Sequence, residues 1–299
     1  MGIDLGGTKI SGIMLDSQGI PQAYERVSTP SGEYQGTLQA IADLVAGLER
    51  QTSLAGSIGM GTPGALSPTT GLMRNSNSTC LNGMPLKRDI EAVLGRTVQM
   101  ANDADCFALS EASDGAGRDA ASVFGVILGT GVGGGLVING ELLQGVNAIA
   151  GEWGHNPLPW MHADEYPGLR CYCGKPGCIE TFLSGPALQS YHYRASGEQV
   201  TAKELLGSMQ NDPLARDSLD RYMDQLARAL SSVINIVDPE VIVLGGGLSN
   251  SDMLYEQVPK LWGSYVFSDA VSTRLVKHLH GDDSGVRGAA WLGHLSASR

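Results

Sequence analysis

The segment CYCGKPGCIE, residues 171–180, puts Cys171, Cys173 and Cys178 within eight positions and closes on Glu180. Three thiols cannot pair off among themselves, so a disulfide framework would leave one over. The C-x-C-x4-C spacing with glycine corners makes a tight knuckle whose thiolates suit a metal. His155, in GEWGHNPLPW at 151–160, can complete a Cys3His set of the kind that holds structural zinc, closed to substrate. His162 is a rival fourth ligand that spacing alone does not separate from His155. A reactive thiol has less to support it, because no histidine stands apart from the metal set as its base. Glu152 lies three residues before His155, with Trp153 between them and Trp160 beyond. A lone histidine is more often structural, but the glycine setting and the cysteines downstream favour a ligand.

Other candidates are glycine turns and a carboxylate. In DLGGTK, residues 4–9, Gly6 and Gly7 let backbone amides converge on phosphate oxygens, Thr8 adds a hydroxyl and Lys9 a charge. Asp4 before them can orient a hydrated Mg2+. An ordinary hairpin turn is the plainer reading. GTGVGG at 129–134 matches G-x-G-x-x-G literally, but a dinucleotide site needs a helix directly afterwards, and LVING continues as a strand. A second phosphate-facing turn fits better than a dinucleotide fold, with a merely flexible turn as the alternative. GGGLSN at 245–250 follows an apolar strand and precedes a helix, leaving room for a planar ring, a ribose or an anion at helix amides. A plain turn explains it equally well. In ANDAD, residues 101–105, Asp103 either caps a helix or sits at a strand end ready to take a proton from a substrate hydroxyl.

The elements that must position these groups are legible from period and punctuation. IDL, the glycine turn and ISGIMLD read as strand–turn–strand. Leu38, Ile41, Val45 and Leu48 recur at helical spacing between Tyr34 and Gln51. SIGMGTPG is a strand ending in a loop, PLKRDIEAVLG a helix stopped by Gly95, TVQMAND a strand, and a helix runs from Asp103 to the glycines at 115 and 117. A similar cycle follows. SVFGVILGTGVGGGLVING is strand, turn and strand with an Asn-Gly hairpin signal. After the cysteine segment come a helix from about Gly185, a TAKE capping box at 201–204 and a long helix over 213–237. EVIVLGGG and STRLVKH are strands with a helix between them, and SGVRGAAWLGHL is a closing helix. Two α/β lobes in one chain are expected, with the glycine turns facing a shared cleft. We expect the first at 1–118, with a C-terminal helix at 286–299 packing back on it, and the second at 119–285 with the zinc-binding segment.

Composition narrows the function. The chain has 299 residues, 42% hydrophobic and 17% charged, as a globular domain requires. A formal net charge of −11 without a long basic tract argues against nucleic acid as a partner. An anionic nucleotide is still admissible, because backbone amides and a metal cradle phosphate locally. No apolar stretch approaches a transmembrane span, and MGIDLGGTK has neither a signal-peptide nor a myristoylation layout. A cytoplasmic location without a membrane partner is expected.

Taken in order, DLGGTK, GTPG, NDA, GTGVGGG, GEWGH and CYCGKPGCIE resemble the ROK family of repressors, open reading frames and sugar kinases, and the resemblance runs essentially end to end. Within it, NSNSTCLNG, GEWGHNPLPWM and HGDDSGVRGAAWL look most like bacterial fructokinases, some of which also act on mannose. The resemblance implies an α/β fold of two ribonuclease-H-like, actin-like ATPase lobes around a central cleft, binding ATP and Mg2+. It implies Asp103 as the catalytic base, and Gly64, Asn77, Asn102, Glu152, His155 and Glu180 at the sugar. Asp4, Gly6, Gly7, Thr8 and Lys9 match the first phosphate turn, Thr130, Gly131 and Gly133 the second, and Gly245, Gly246 and Gly247 the adenosine side. His155, Cys171, Cys173 and Cys178 match a structural zinc set, with His155 touching both zinc and sugar. A homodimer is implied as well. The expected activity is fructokinase, forming sugar 6-phosphate. The alternatives are a glucokinase or an N-acetylhexosamine kinase, and, from another class, a non-catalytic sugar-responsive regulator. Such regulators carry an N-terminal helix-turn-helix, for which there is no room ahead of Asp4.

The chain departs from the family pattern in three places. Cys80 stands where close relatives carry Trp. Sixteen positions separate His155 from Cys171, so MHADEYPGLR is expected to be an exposed insert. Only three residues precede Asp4, and a native start upstream is expected.

Overall fold

The computed structural model describes residues 1–208 and 212–297. The chain forms two compact units, one of Met1–Asp119, Gly135–Ala150 and the C-terminal stretch from Leu279, the other of Ala120–Gly134 and Gly151–His278. Compared with the sequence expectation, residues 135–150 and 279–285 join the first unit. Positions 298 and 299 of the expected closing helix lie outside the described residues.

The first unit begins with β1 (Gly2–Leu5), β2 (Lys9–Leu15), β3 (Pro21–Ser28) and α1 (Tyr34–Thr52). It continues through β4 (Ile58–Thr62), the short pair β5 (Ala65–Leu66) and β6 (Met73–Arg74), α2 (Leu86–Leu94), β7 (Val98–Asn102) and α3 (Asp103–Ser113). The apolar stripe read from the sequence is the buried face of α1, with Leu44 added to it. Gly95 ends α2 at φ +67°, where its amide donates to Glu91 O and a side chain would be strained. The sheet runs β3-β2-β1-β4-β7, antiparallel across β1–β2–β3 and parallel across β1–β4–β7. In register, Asp4 lies beside Gly61 and Gly61 beside Ala101. Asp103 therefore leaves the sheet at the same end as Asp4. One core packs Ile3, Ile10, Leu44, Leu48, Ile58 and Met60 against each other.

The chain then forms β8 (Ser122–Leu128), β9 (Val132–Ile138) and β10 (Glu141–Leu142). Asn139 and Gly140, at φ 52° and 76°, make the two-residue turn that Asn-Gly announces. Beyond the cysteine segment lie α4 (Glu180–Leu183), α5 (Gly185–Ser196), α6 (Ala202–Ser208), α7 (Pro213–Val237), β11 (Val241–Gly245), α8 (Asp252–Leu261) and β12 (Arg274–Lys277). The second sheet has the order β10-β9-β8-β11-β12, with β8, β11 and β12 parallel. Thr201 and Glu204 close the predicted capping box at the start of α6, and the Asp212 carboxylate caps α7.

The last element, α9 (Ser284–Ala297), belongs to the first unit. It approaches the sheet at backbone distance. A Cβ on Gly2 would meet Val286 O, one on Gly59 would meet Ala289 O, and one on Gly293 would lie 2.6 Å from Gly59 N. Glu111, fully buried in α3, pins the segment leading into α9: it accepts from Leu279 N at 3.0 Å, His280 N at 3.3 Å and Ser284 Oγ at 2.8 Å. Residues 135–150 join the same unit for a similar reason. A Cβ on Gly135 would lie 2.8 Å from Ala104 O, and Arg74 donates to Asn147 O at 2.9 Å. No helix among the described residues is long and apolar enough to cross a membrane.

Candidate functional site

In the first unit the candidates gather at the end of the sheet. The turn after β1 is closed by the Gly6 amide donating to Lys9 O at 3.0 Å, with Gly7, Thr8 and Lys9 exposed beyond it. A Cβ on Gly6 would lie 2.8 Å from that carbonyl, so the turn requires glycine there. Gly7 faces Ser78, which the sequence did not single out. Burial, then the charge of Asp103, pushes the Asp4 carboxyl up to about 6, against the opposing pull of Lys9 and Arg26. A buried carboxylate raised further by the charge of a second one is a setting a divalent cation relieves, so the residues fit Mg2+.

The helix cap is Asn102, not Asp103. Its Oδ1 accepts from Asp105 N at 2.6 Å, while Asp103 is the first helical residue and accepts only from Ala104 N, at 2.8 Å. Asp103 keeps solvent-accessible surface, yet the protein crowding it desolvates the carboxylate and raises it above the ordinary range, opposed by the Ala104 amide. Capping commits the Asn102 carbonyl oxygen and leaves its amide nitrogen for other partners. Gly64, at φ +88°, is held against Ser76 N, where a Cβ would lie at 2.8 Å, and Asn77 is exposed nearby. Cys80 is half-buried against the first core, and Cys106 is fully buried.

In the second unit the knuckle forms as the spacing predicted. The ligand atoms of His155, Cys171, Cys173 and Cys178 all lie within 4.8 Å of one another. Cys173 Sγ and Cys178 Sγ are 3.5 Å apart, as are Cys171 Sγ and His155 Nδ1. Tetrahedral zinc with Zn–S bonds of about 2.3 Å needs edges of roughly 3.7 Å. The set fits zinc with little adjustment. Burial pushes the Cys178 thiol up to about 12 and Cys171 in the same direction, whereas the Lys175 backbone amide draws Cys173 down. A bound cation would displace those protons. His162 is no part of this set: it is exposed, with Nε2 3.9 Å from Asp224.

The knuckle is tied to the second glycine turn through Glu180. Its Oε2 accepts from Val132 N at 3.1 Å, its Oε1 lies 3.8 Å from Cys171 Sγ, and a Cβ on Gly131 would intrude to 2.7 Å from Oε2. Trp153 Nε1 donates to Gly133 O at 3.0 Å, and Gly185 N donates to Gly129 O at 2.8 Å. Tyr172, between two of the cysteines, places its hydroxyl 2.9 Å from His155 Nε2. The residue is 78% exposed, and its ring meets His155 edge to face. Desolvation there, followed by the charges of Glu180, Cys171 and Glu152, raises the phenol to about 12. Glu152, His155 and Glu180 thus share one neighbourhood around Tyr172.

The expected exposed insert is anchored. Glu165 within it is fully buried and takes two hydrogen bonds from Arg228 of α7, at 2.8 and 2.9 Å, and one from Gln225 at 2.9 Å. Burial would push the Glu165 carboxyl up, but the bonds from Arg228 and Gln225 outweigh it and hold it at about 2. Arg228 also donates to Trp160 O. Most of the rest of the insert, including Tyr166, is exposed, with Met161 and Gly168 half-buried.

A cavity of about 1090 Å3 opens beside the second turn, bounded by Thr130, Pro186 and Gln189, by Lys203 of α6, and by Gly247 and Asn250 after β11. Of the three glycines at 245–247 only Gly247 faces it. Gly246, at φ +82°, presses on Leu128 O, and Gly245 is buried at the strand end. Sequence reasoning missed Gln189, Lys203 and Asn250, whose surroundings carry only helix and cap signals. A cavity of this size with few polar groups suits a nucleoside-sized ligand.

These features agree with what the chain is similar to. A relative in Vibrio atlanticus, named N-acetyl-D-glucosamine kinase, is 43% identical over 97% of this chain and 98% of its own. The crystal structure of a ROK hexokinase from Thermus thermophilus superposes with a TM-score of 0.88 at 30% identity, covering 99% of this chain and 98% of that one. A ROK family glucokinase from Streptomyces griseus, solved with glucose and AMPPNP, gives 0.78 at 27% identity over 98% of both chains. The fold is thus the α/β, two-lobe, actin-like ATPase fold of these kinases. Residues 1–295 match the ROK family, and the chain belongs to that family as one of its ATP-dependent sugar kinases.

Proposed function

We propose that this chain is an N-acetylglucosamine kinase, transferring the γ-phosphoryl group of ATP to the 6-hydroxyl. The observation that carries this is the name shared by relatives 40–43% identical over 97% of the chain. The fructose preference expected from NSNSTCLNG and HGDDSGVRGAAWL gives way to the alternative of an N-acetylhexosamine kinase, because selectivity rests on pocket shape that short motifs do not encode.

In this reading Asp103 takes the proton of the attacking hydroxyl. Its raised carboxyl makes it a better base than an ordinary aspartate. Gly64, Asn77, the free amide of Asn102, Glu152, His155 and Glu180 hold the sugar. Gly6, Gly7, Thr8 and Lys9 receive phosphate oxygens, with Thr130, Gly131 and Gly133 as the second turn. The nucleoside lies against Gly247, with Gly245 and Gly246 shaping the backbone behind it. Asp4 would orient hydrated Mg2+, which supplies charge neutralisation on the phosphates. His155, Cys171, Cys173 and Cys178 would hold zinc, whose contribution is to fix the loop that carries His155 and Glu180.

The experiment is a coupled ADP-release assay with N-acetylglucosamine, N-acetylmannosamine, glucose, mannose and fructose. The highest kcat/KM is expected with N-acetylglucosamine. A preference for fructose or mannose would refute the substrate assignment and leave the kinase intact.

A further inference from the structure

His155 divides its two ring nitrogens between different tasks. Nδ1 faces Cys171 Sγ at 3.5 Å, on the side of the thiol cluster. A neutral imidazole whose Nδ1 binds a metal must carry its proton on Nε2. That N–H points at Tyr172 Oη, 2.9 Å away, so the phenol oxygen accepts. The rings meet edge to face, with centroids 5.1 Å apart and an interplanar angle of 88°. Nothing comparable holds the other side of the tyrosine, whose surface is 78% exposed.

We propose that Tyr172 sets affinity and specificity at the sugar site: its hydroxyl occupies the position at His155 Nε2 that a sugar hydroxyl takes, and it swings out when sugar binds. The inference rests on the reading of His155 as a sugar contact. Tyr172 sits on the knuckle itself, between Cys171 and Cys173, so displacing it needs only side-chain rotation into open solvent. What the sugar must replace is one hydrogen bond and one ring edge. A sugar presenting a hydroxyl to Nε2 replaces the bond. An analogue lacking that hydroxyl does not, and leaves Tyr172 in place. The residue therefore lowers affinity for sugars that offer an acceptor there and narrows their advantage over analogues that do not, which keep the Tyr172 bond.

The test uses the zinc-loaded full chain and the sugar that the wild type itself prefers in the panel above. Calorimetry on Tyr172→Phe should show Kd for that sugar falling by about two- to tenfold, the range an ordinary net hydrogen bond converts to. One monodeoxy analogue should bind both proteins equally. The 15N shift of His155 Nε2 should move on Tyr172→Phe substitution in free protein, and much less in the sugar complex. Tyr172→Leu serves as the second variant, with zinc content measured on both to confirm an intact knuckle. Unchanged or weaker sugar binding in both variants overturns the proposal, as does an equal gain for every monodeoxy analogue. A wild type that prefers a sugar other than N-acetylglucosamine refutes the substrate reading alone. One that binds none of the sugars refutes both.

Discussion

Asp103→Asn separates a chemical from a structural role. The side chain keeps its size and its oxygen for Ala104 N, but it can no longer accept a proton. If Asp103 is the general base, kcat should fall by about 10²–10⁴, which at about 1.36 kcal/mol per decade is roughly 3–5.5 kcal/mol of barrier. Positioning and charge dominate phosphoryl transfer, so the smaller half of that range is the expected one. Stability follows different terms. The cap is Asn102 and stays intact. Losing a charge in the first turn of α3 costs about 0.3–1 kcal/mol, while relief of a desolvated carboxylate that raises Asp4 works the other way. The net change should be within about 1 kcal/mol, or less than about 4 °C in Tm. A further signature lies in the pH dependence. The Asp4 carboxyl, raised from 3.8 to about 6, weakens the folded state as pH rises through that interval, because the native form holds its proton more tightly than the unfolded one. Neutralising position 103 should shrink that loss and shift it to lower pH. Turnover measured by coupled ADP release with saturating sugar and MgATP, beside Tm from pH 4.5 to 8, reads both halves. Retained turnover ends the assignment as base, and a Tm lowered by more than about 8 °C would mark Asp103 as a structural group instead.

The knuckle should retain about one zinc per chain by elemental analysis. Cys80→Ala and Cys106→Ala should leave that content unchanged, whereas Cys178→Ser should empty the site; loss of metal in either alanine variant would disprove the ligand set. Arg228→Met strands the buried Glu165 carboxylate and should cost about 3 kcal/mol, the low end for a broken buried pair, because Arg221 still lies 3.4 Å from it. Glu165 is held at about 2, below its ordinary 4.5, so its stabilisation is present above that value and is lost as pH falls from 4.5 toward 2. Denaturant titrations at pH 6 and pH 3 should show a smaller acid loss in Arg228→Met than in the wild type, and equal losses would refute the pairing.

Local punctuation carried most of the secondary structure. Gly95, Asn139-Gly140 and the Thr201–Glu204 box each fix backbone within a few residues, so a one-dimensional reading finds them. The thiol knuckle was legible for the same reason, since its three cysteines are neighbours in sequence. What escaped depends on partners far away. Glu165 looked like part of a solvated loop because Arg228 lies 63 residues on. Asp103 and Asn102 both have capping chemistry, and only backbone geometry separates them. Tyr172 reads as a spacer between ligands until its hydroxyl is seen at His155. Lys203 and Gln189 come from helices whose signals are complete without any ligand. The choice of sugar lies in the shape of a pocket, which motif spacing does not encode.

The placement of α9 sets an order of events during synthesis. The face of the first sheet that it covers, including Ile13 and Ala101, meets residues numbered 286 and beyond. A ribosome moving at roughly 5–20 residues per second needs about 10–30 s to pass from Asp119 to Ser284. Throughout that interval the first unit has its strands and α1–α3, and on that face only the cover that α3 supplies through Cys106 beside Ala101. Meanwhile the second unit, complete by His278, has every residue it needs. The nascent chain therefore finishes its middle before its beginning, and the earliest-made strands are the ones that depend on a chaperone or on weak transient contacts until the last helix leaves the tunnel.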